Sequence, residues 1–580
     1  MPGTTAGKAA KRYETVEQKK SSGATYTPGA LATFVARRML ENTKLPSTGV
    51  LRILDPAVGD GELVLSLLAE LKVHSTVQME VFGFDTDPGA IAESQRRISQ
   101  SYPNVTLHLS KRDFLEFVLS QGSDRATQNL FSTNEPERFD LIIANPPYVR
   151  TQIMGADQAQ QLAASFGLGG RVDLYQAFLL GMARVLEPAG TAGMIVSNRF
   201  MTTKGGGLLR SALRQQFALR EIWDLGDTKL FDAAVLPAIV IASGQSKRTE
   251  EPIKFSSAYE TTDPAVVSAV GPVEALGHEG VVQVADGRSF DIKHGTLDSI
   301  GGDEEIWRIS TGVGDAWMAT VNQNTWALFG ALGKIRVGVK TCADKVFIRH
   351  DWGSAFGDDK PELLRPLTTH HGAGRFRATV PKKARQIVYP HEVVQGQRRA
   401  ISLDDNPKTQ AYLESHRETL EARTYVLEGG RRWYEIWVPQ DPSAWALPKL
   451  VFRDISERPT FWIDLDGSVV NGDCYWLVLN RQDNPDLLWL AAAVANSTFA
   501  EAFYDHRFNN KLYAGRRRYI TQYVEQFPLP NPELATSKEI VERAKAIYNE
   551  NHSSGSELME LKLNDLVWKA FGLPVKKVVG

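Results

Sequence analysis

In the first half of the chain, short apolar runs end in a polar or acidic residue, and apolar positions at helical spacing follow. Val50 to Leu54 leads into Asp55-Pro56-Ala57-Val58-Gly59-Asp60-Gly61, and Leu63, Leu65, Leu67 and Leu68 come next. This pattern predicts a strand, a glycine-containing turn and a helix. Val81 to Phe84 ends in Asp85, and Asp87-Pro88 predicts an N-capped helix through Ile91 and Ile98. A third strand, Val105 to Leu109, leads to Asp113-Phe114. A fourth, Phe139 to Ala144, is apolar but for Asp140 and reads as a buried parallel strand. It delivers Asn145-Pro146-Pro147-Tyr148 at its C-terminal end. Leu174 to Leu186 and Leu208 to Phe217 read as helices, and strands are expected at 193–197, 222–225 and 239–242. Ahead of all this, Thr27 is the expected N-cap, with Pro28 at N1, of a helix carrying Leu31, Phe34, Val35 and Leu40. The alternation predicts an α/β domain, Rossmann-like, with a mostly parallel seven-stranded sheet.

In such sheets ligands bind beyond the C-terminal strand ends, and here four consecutive ends carry ligand-competent residues. Gly59 and Gly61 allow close backbone approach, but the turn is not GxGxxG, and Asp55 would repel a pyrophosphate. An acidic turn suits a ligand with a cationic amino group and no phosphate, such as S-adenosylmethionine. Asp85 is placed to accept from ribose hydroxyls. Asp113 with Phe114 would bind an adenine amino group and cover its ring. Two prolines stiffen the loop at Asn145 and remove two backbone donors. The Asn145 oxygen and the Pro146 carbonyl can then accept both hydrogens of an aromatic amine while Tyr148 stacks on its ring.

The chain has 580 residues, 43% hydrophobic and 23% charged, with a net charge of −2. Length and composition predict several domains with sizeable cores, and any nucleic-acid contact must come from local basic patches. Two cysteines far apart, Cys342 and Cys474, exclude a disulfide framework and a cysteine-rich zinc site. No apolar run approaches the ~18 residues of a membrane span. The expectation is a soluble cytoplasmic protein with no metal site.

The order Tyr26-Thr27-Pro28, Asp55 turn, Asp85, Asp113, Asn-Pro-Pro-Tyr, then a long C-terminal remainder resembles the γ class of DNA adenine-N6 methyltransferases, the TaqI-like family of restriction–modification systems. The resemblance spans roughly residues 24–244. It extends to Val172-Asp173-Leu174-Tyr175-Gln176-Ala177-Phe178 and to Leu230-Phe231-Asp232 through Ala238-Ile239-Val240-Ile241. It implies S-adenosylmethionine as cofactor, held by Thr27, Asp55, Ala57, Gly59, Gly61, Asp85, Asp113 and Phe114. It also implies transfer to N6 of an adenine flipped out of duplex DNA, with Asn145, Pro146, Pro147 and Tyr148 catalytic and Tyr148, Phe231 and Phe178 against the base. A monomer, paired functionally with a cognate restriction endonuclease, is expected.

The remainder carries basic clusters beside aromatics. Residues 361–400 hold eight Lys/Arg against two Asp/Glu. Arg375, Arg377, Lys382, Lys383, Arg431, Arg432, Arg516, Arg517 and Arg518 are the expected DNA contacts. The expected layout is a loose arm at 1–23, a methyltransferase domain at 24–250, a mixed α/β target-recognition domain at 251–530 and a helical segment at 531–580. The alternative is methylation of another planar amine, an rRNA base or a protein glutamine, because Asn-Pro-Pro-Tyr also serves such enzymes. A fused nuclease and a catalytically silent DNA reader are weaker alternatives.

Overall fold

The computed structural model describes residues 27–574 except 75–76, 128–136, 149–155, 169–172, 232–235, 246–250, 299–304, 380, 509–511, 513–515 and 551–555. The expected arm at 1–23, Tyr26, Val172 and Asp232 lie outside the described residues. The chain forms two compact units that part between Thr311 and Gly312.

The first unit is built on a twelve-stranded sheet. Its opening elements are α1 (Gly29–Glu41), β1 (Val50–Asp55), α2 (Glu62–His74), β2 (Gln78–Phe84), α3 (Pro88–Ser101), β3 (Thr106–Ser110), α4 (Phe114–Thr127) and β4 (Phe139–Ala144). They are followed by α5 (Leu174–Val185), β5 (Leu186–Ser197), α6 (Gly207–Gln216), β6 (Ala218–Asp224) and β7 (Pro237–Ser243). The strand order β3-β2-β1-β4-β5-β7-β6 has β7 antiparallel to both neighbours and the other strands parallel. The chain reverses direction across the sheet between β1 and β4, where Ile53 pairs with Leu141 and Leu54 with Ile142. Asp55 and Asn145 therefore leave the sheet side by side, at the switch point where such folds bind ligands.

Alternate residues of each strand feed two cores. Leu54 and Ile142 face the side of α4 and α5, while Ile53 and Leu141 face that of α1 and α2. Leu31, Val35 and Met39 of α1 are fully buried. A second attachment holds the same helix. Glu221 of β6, 1% exposed, accepts from Arg38 at 2.6 and 2.8 Å, from Asn42 at 3.0 Å and from the Trp223 indole at 3.1 Å. A buried carboxylate is tolerated when its acceptor sites are filled this way.

The sheet does not end at the seventh strand, as the sequence pattern suggested. β8 (Lys254–Thr261) adds parallel to β6, and β9 (Val267–Ala269), β10 (Gly280–Val284), β11 (Ser289–Leu297) and β12 (Ile309–Ser310) complete it. The compact unit thus runs some sixty residues past the expected boundary at 250. β8 was not legible because its buried centre includes Ser256 and Ser257 rather than large apolar residues.

The second unit is mixed α/β, with one four-stranded sheet of Ile335–Val337, Cys474–Leu477, Lys449–Arg453 and Phe461–Asp464. Another combines Ile348–Arg349, Arg385–Val388, Leu364–Thr368 and Val469–Val470. Trp445, Trp462 and Trp476 are fully buried in its core. The helices Ala535–Glu550 and Ser556–Ala570 belong to this unit and do not form the separate segment expected at 531–580. Phe571 stacks on Phe499 with ring centroids 4.0 Å apart, and the Asn564 side chain accepts from the Thr498 amide and hydroxyl, each at 2.8 Å.

Candidate active site

Asp55 closes β1 with its carboxylate turned inward, 1% exposed. Its Oδ1 accepts the Ala57 N–H at 3.0 Å, and its buried Oδ2 meets no hydrogen-bond donor among the described residues. Burial pushes its pKa up to about 7; the Ala57 amide opposes the shift and the nearby Asp85 and Asp60 add to it. The turn that follows uses two left-handed glycines, Gly59 at φ +54° and Gly61 at φ +82°. Both conformations are costly for other residues. At Gly61 a Cβ would meet Ile98 and Ser94 of α3 only at ordinary contact distance, so it is the backbone angle that calls for glycine. Asp85, at the end of β2, accepts from the Gly59 amide at 3.1 Å and the Asp87 amide at 2.8 Å, so it ties the two turns together. Asp87 caps α3 through the Gly89 amide at 2.8 Å, the structural role its sequence context indicates.

These groups fit an S-adenosylmethionine molecule. An orphaned buried carboxylate oxygen wants a cation or a donor, and a second strand-end carboxylate lies beside it. Asp113 caps α4 by accepting the Leu115 amide at 2.7 Å. Phe114 departs from expectation. It is 1% exposed and packed on Phe84 and Phe178, with centroids at 5.9 and 5.5 Å, because the first turn of α4 directs it into the core. It is a core residue and not an open cover for an adenine ring.

Asn145 is half-buried just beyond β4. Its Nδ2 donates to the Thr27 hydroxyl at 3.1 Å, and its Oδ1 accepts from the Tyr148 hydroxyl at 3.1 Å. Pro146 is buried and Pro147 half-buried. The Tyr148 ring lies 6.3 Å from the buried Tyr175 ring, and burial pushes both phenols up. Thr27 is not the helix cap that its position suggests. Pro28 occupies that place without a side-chain cap, and the Thr27 hydroxyl accepts from Asn145 instead.

Phe178 is also misplaced by the sequence reading. At 5% exposed on α5 it packs beneath the sheet against Phe114, because position 178 falls on the inner face of that helix. Phe231 is 8% exposed and sits in the apolar cluster on the α1 side, whereas Tyr148 packs against the α5 side.

Sequence reasoning missed a buried polar group beneath the segment that carries Phe231. Asp224, at the end of β6, accepts from Asn198 at 2.9 Å, from the Tyr259 hydroxyl at 2.6 Å and from the Gly226 amide at 3.2 Å. Burial pushes its pKa up to about 6 despite those donors. Asn198 and Asp224 both lie at C-terminal strand ends, and the rule that singled out Asp55, Asp85 and Asn145, carried on to β5 and β6, finds them.

In the second unit the structure removes several expected DNA contacts. Arg517 is buried, forks onto Asp505 with two 2.8 Å bonds and donates to the Glu457 carbonyl at 3.0 Å. Arg375 is bound to Glu560 and the Asn496 carbonyl. Arg431 donates to the Trp437 carbonyl, with its guanidinium over the Trp437 ring. Arg517 and Arg375 hold the fold, because each of their guanidinium nitrogens has a partner inside it, whereas, among the described residues, half-buried Arg431 bonds through Nη1 alone. Arg377 lies over the Tyr548 ring at 5.0 Å, and Arg518 is paired with Asp454. Lys382, Lys383, Arg432 and Arg516 are exposed.

Residues 79–231 match the Eco57I restriction-modification methylase family. Over 575 residues the chain is 39% identical to the type II methyltransferase M.BanIII of Aneurinibacillus aneurinilyticus, covering 97% of this chain and 98% of that one. The chain belongs to the type II DNA methyltransferases. The type II methyltransferase M.XhoI of Xanthomonas vasicola is 27% identical over 83% of this chain and 86% of its own. A release factor glutamine methyltransferase of Geobacter sulfurreducens is 31% identical over only 24% of this chain and 42% of its own. As a DNA methyltransferase of a restriction–modification system, this methyltransferase takes its methyl group from S-adenosylmethionine and gives it to DNA. No helix among the described residues is long and apolar enough to cross a membrane.

Proposed function

We propose that this methyltransferase modifies the exocyclic N6 of an adenine flipped out of duplex DNA. The observation that carries the reading is the Asn145 carboxamide, set between two hydroxyls at the end of β4 and followed by two prolines. The amine lone pair is delocalised into the base. An amide oxygen and the Pro146 carbonyl accepting its two hydrogens favour the pyramidal nitrogen of the transition state, which is differential transition-state binding. Tyr148 offers a ring on which the base stacks, worth ~1–3 kcal/mol. Bound S-adenosylmethionine supplies the electrophilic methyl group; the Asp55 and Asp85 carboxylates bind and orient it. Methylation at C5 of cytosine needs a Pro-Cys nucleophile, which neither Thr341-Cys342 nor Asp473-Cys474 supplies. Digestion of DNA from a host expressing the chain, followed by mass spectrometry of the nucleosides, tests the reading. N6-methyladenine is expected; N4-methylcytosine or 5-methylcytosine would refute it.

The second unit supplies DNA contacts through its exposed cations Lys382, Lys383, Arg432 and Arg516, and the enzyme acts as a monomer beside a restriction endonuclease of the same site. Replacing Lys382 and Lys383 by alanine is expected to weaken binding to all duplexes alike and to flatten its salt dependence by about one slope unit per lost phosphate contact. Anisotropy titrations at several salt concentrations measure this.

Cofactor affinity should depend on pH through Asp55. With a free-enzyme pKa of about 7, the carboxyl is protonated below neutrality and cannot pair with a cationic amino group. Affinity is expected to rise roughly tenfold per pH unit up to about 7, as long as the bound form stays ionised, and to level off above it. Calorimetry with S-adenosylmethionine from pH 5.5 to 8.5 checks this, and Asp55→Asn should bind more weakly with a flat profile.

A further inference from the structure

Thr27 lies 118 residues from Asn145 in sequence, yet its hydroxyl accepts the Asn145 Nδ2–H at 3.1 Å. The resemblance that places Thr27 among cofactor ligands does not account for that bond. Thr27 is also a fixed point. It stands two residues before α1, whose first backbone bond runs from the Ala32 amide to the Pro28 carbonyl at 3.0 Å. The helix is held by Leu31, Val35 and Met39 in the core and by the buried Glu221 network at its far end. On the other side of the carboxamide, the Tyr148 hydroxyl donates to Oδ1 at 3.1 Å. Two hydroxyls, one on each edge, fix the plane of the amide.

We infer that Thr27 is a positioning residue for methyl transfer, holding the plane of the Asn145 carboxamide beside Tyr148, where the target base stacks. This rests on the role proposed for Asn145. Without the Thr27 bond the amide rotates about its terminal torsion, which is broad in asparagine, and its acceptor spends part of its time away from the amine. Proximity effects are steep in such displacements. The loss falls on the chemical step, not on affinity for cofactor or DNA.

The test uses the full chain with Thr27→Val, which keeps the shape and removes the hydroxyl, Thr27→Ala as a second deletion, and Thr27→Ser, which restores the hydroxyl. Single-turnover transfer of labelled methyl from S-adenosylmethionine to unmethylated DNA is followed at saturating cofactor, and cofactor affinity is measured separately by calorimetry. A neutral hydrogen bond is worth about 0.5–1.5 kcal/mol, so Thr27→Val and Thr27→Ala should slow transfer roughly three- to tenfold with unchanged cofactor affinity. Thr27→Ser should recover most of the rate. A normal rate in both hydroxyl-less variants overturns the inference. So does an equal loss in Thr27→Ser, which would indicate packing, or a weakened cofactor affinity with a normal rate at saturation, which would make Thr27 a cofactor ligand. The identity of the methylated nucleoside made by the wild type tests the underlying adenine reading independently of these rates.

Discussion

Asn145→Ala should abolish methyl transfer, by about 10²-fold or more in the single-turnover rate, while duplex binding stays within a few-fold of wild type. In the proposed reaction the carboxamide meets the amine as charge develops on it, so its loss removes an interaction made more strongly in the transition state than in the ground state. The exposed cations proposed to carry DNA affinity lie in the other compact unit, so binding should survive. The replacement also leaves the Thr27 and Tyr148 hydroxyls without their shared partner, but Asn145 is only half-buried and water can serve them. Rapid-quench measurement of labelled methyl transfer, with anisotropy for binding, reads both quantities. A variant turning over at a near-normal rate would remove Asn145 from the mechanism.

Arg517→Ala should destabilise the second unit by about 1–3 kcal/mol, less than the cost of breaking a fully buried ion pair, because Arg517 is buried while Asp505 and Glu501 are each a quarter exposed. Asp505 and Glu501 would be left behind, and burial already raises the Glu501 pKa. Their sign decides the pH dependence. Losing Arg517 removes a charge that lowers the Glu501 pKa and so lifts it further above its unfolded value; the folded state then binds more protons, and stability falls as pH rises through the folded value. The loss should be larger at pH 8 than at pH 5, as thermal unfolding of wild type and variant at both pH values would show. A variant that unfolds like wild type but binds DNA poorly would restore Arg517 to the DNA-contacting set.

The strand ends were the most legible part of this chain. β1, β2 and β4 announce themselves because they are largely buried and rich in large apolar residues, and their ends carry Asp55, Asp85 and Asn145. What failed to show had a physical reason in each case. Ser256 and Ser257 hide β8 because small hydroxyl residues in a buried strand look like a loop. Phe114 and Phe178 are aromatic residues near a ligand edge, but helix phase, which residue type alone does not give, turns them inward. Arg517 and Arg375 read as a basic surface until their carboxylate partners, distant in sequence for Arg375 and Glu560, come into contact. The bond from Thr27 to Asn145 is a tertiary contact that no local pattern encodes.

The extension of the sheet beyond β7 also marks where recombination can succeed. A crossover with a relative at residue 250 would separate Phe255, Phe290 and Trp307, each at most 1% exposed, from the sheet that buries them. Trp307 would also lose its amide bond to the Met201 carbonyl at 2.9 Å and its ring contact with Phe200. A crossover between Thr311 and Gly312 keeps both cores whole. Hybrids among type II relatives should therefore express as soluble protein when joined there, and the same joint is where a natural exchange of the second unit would be tolerated.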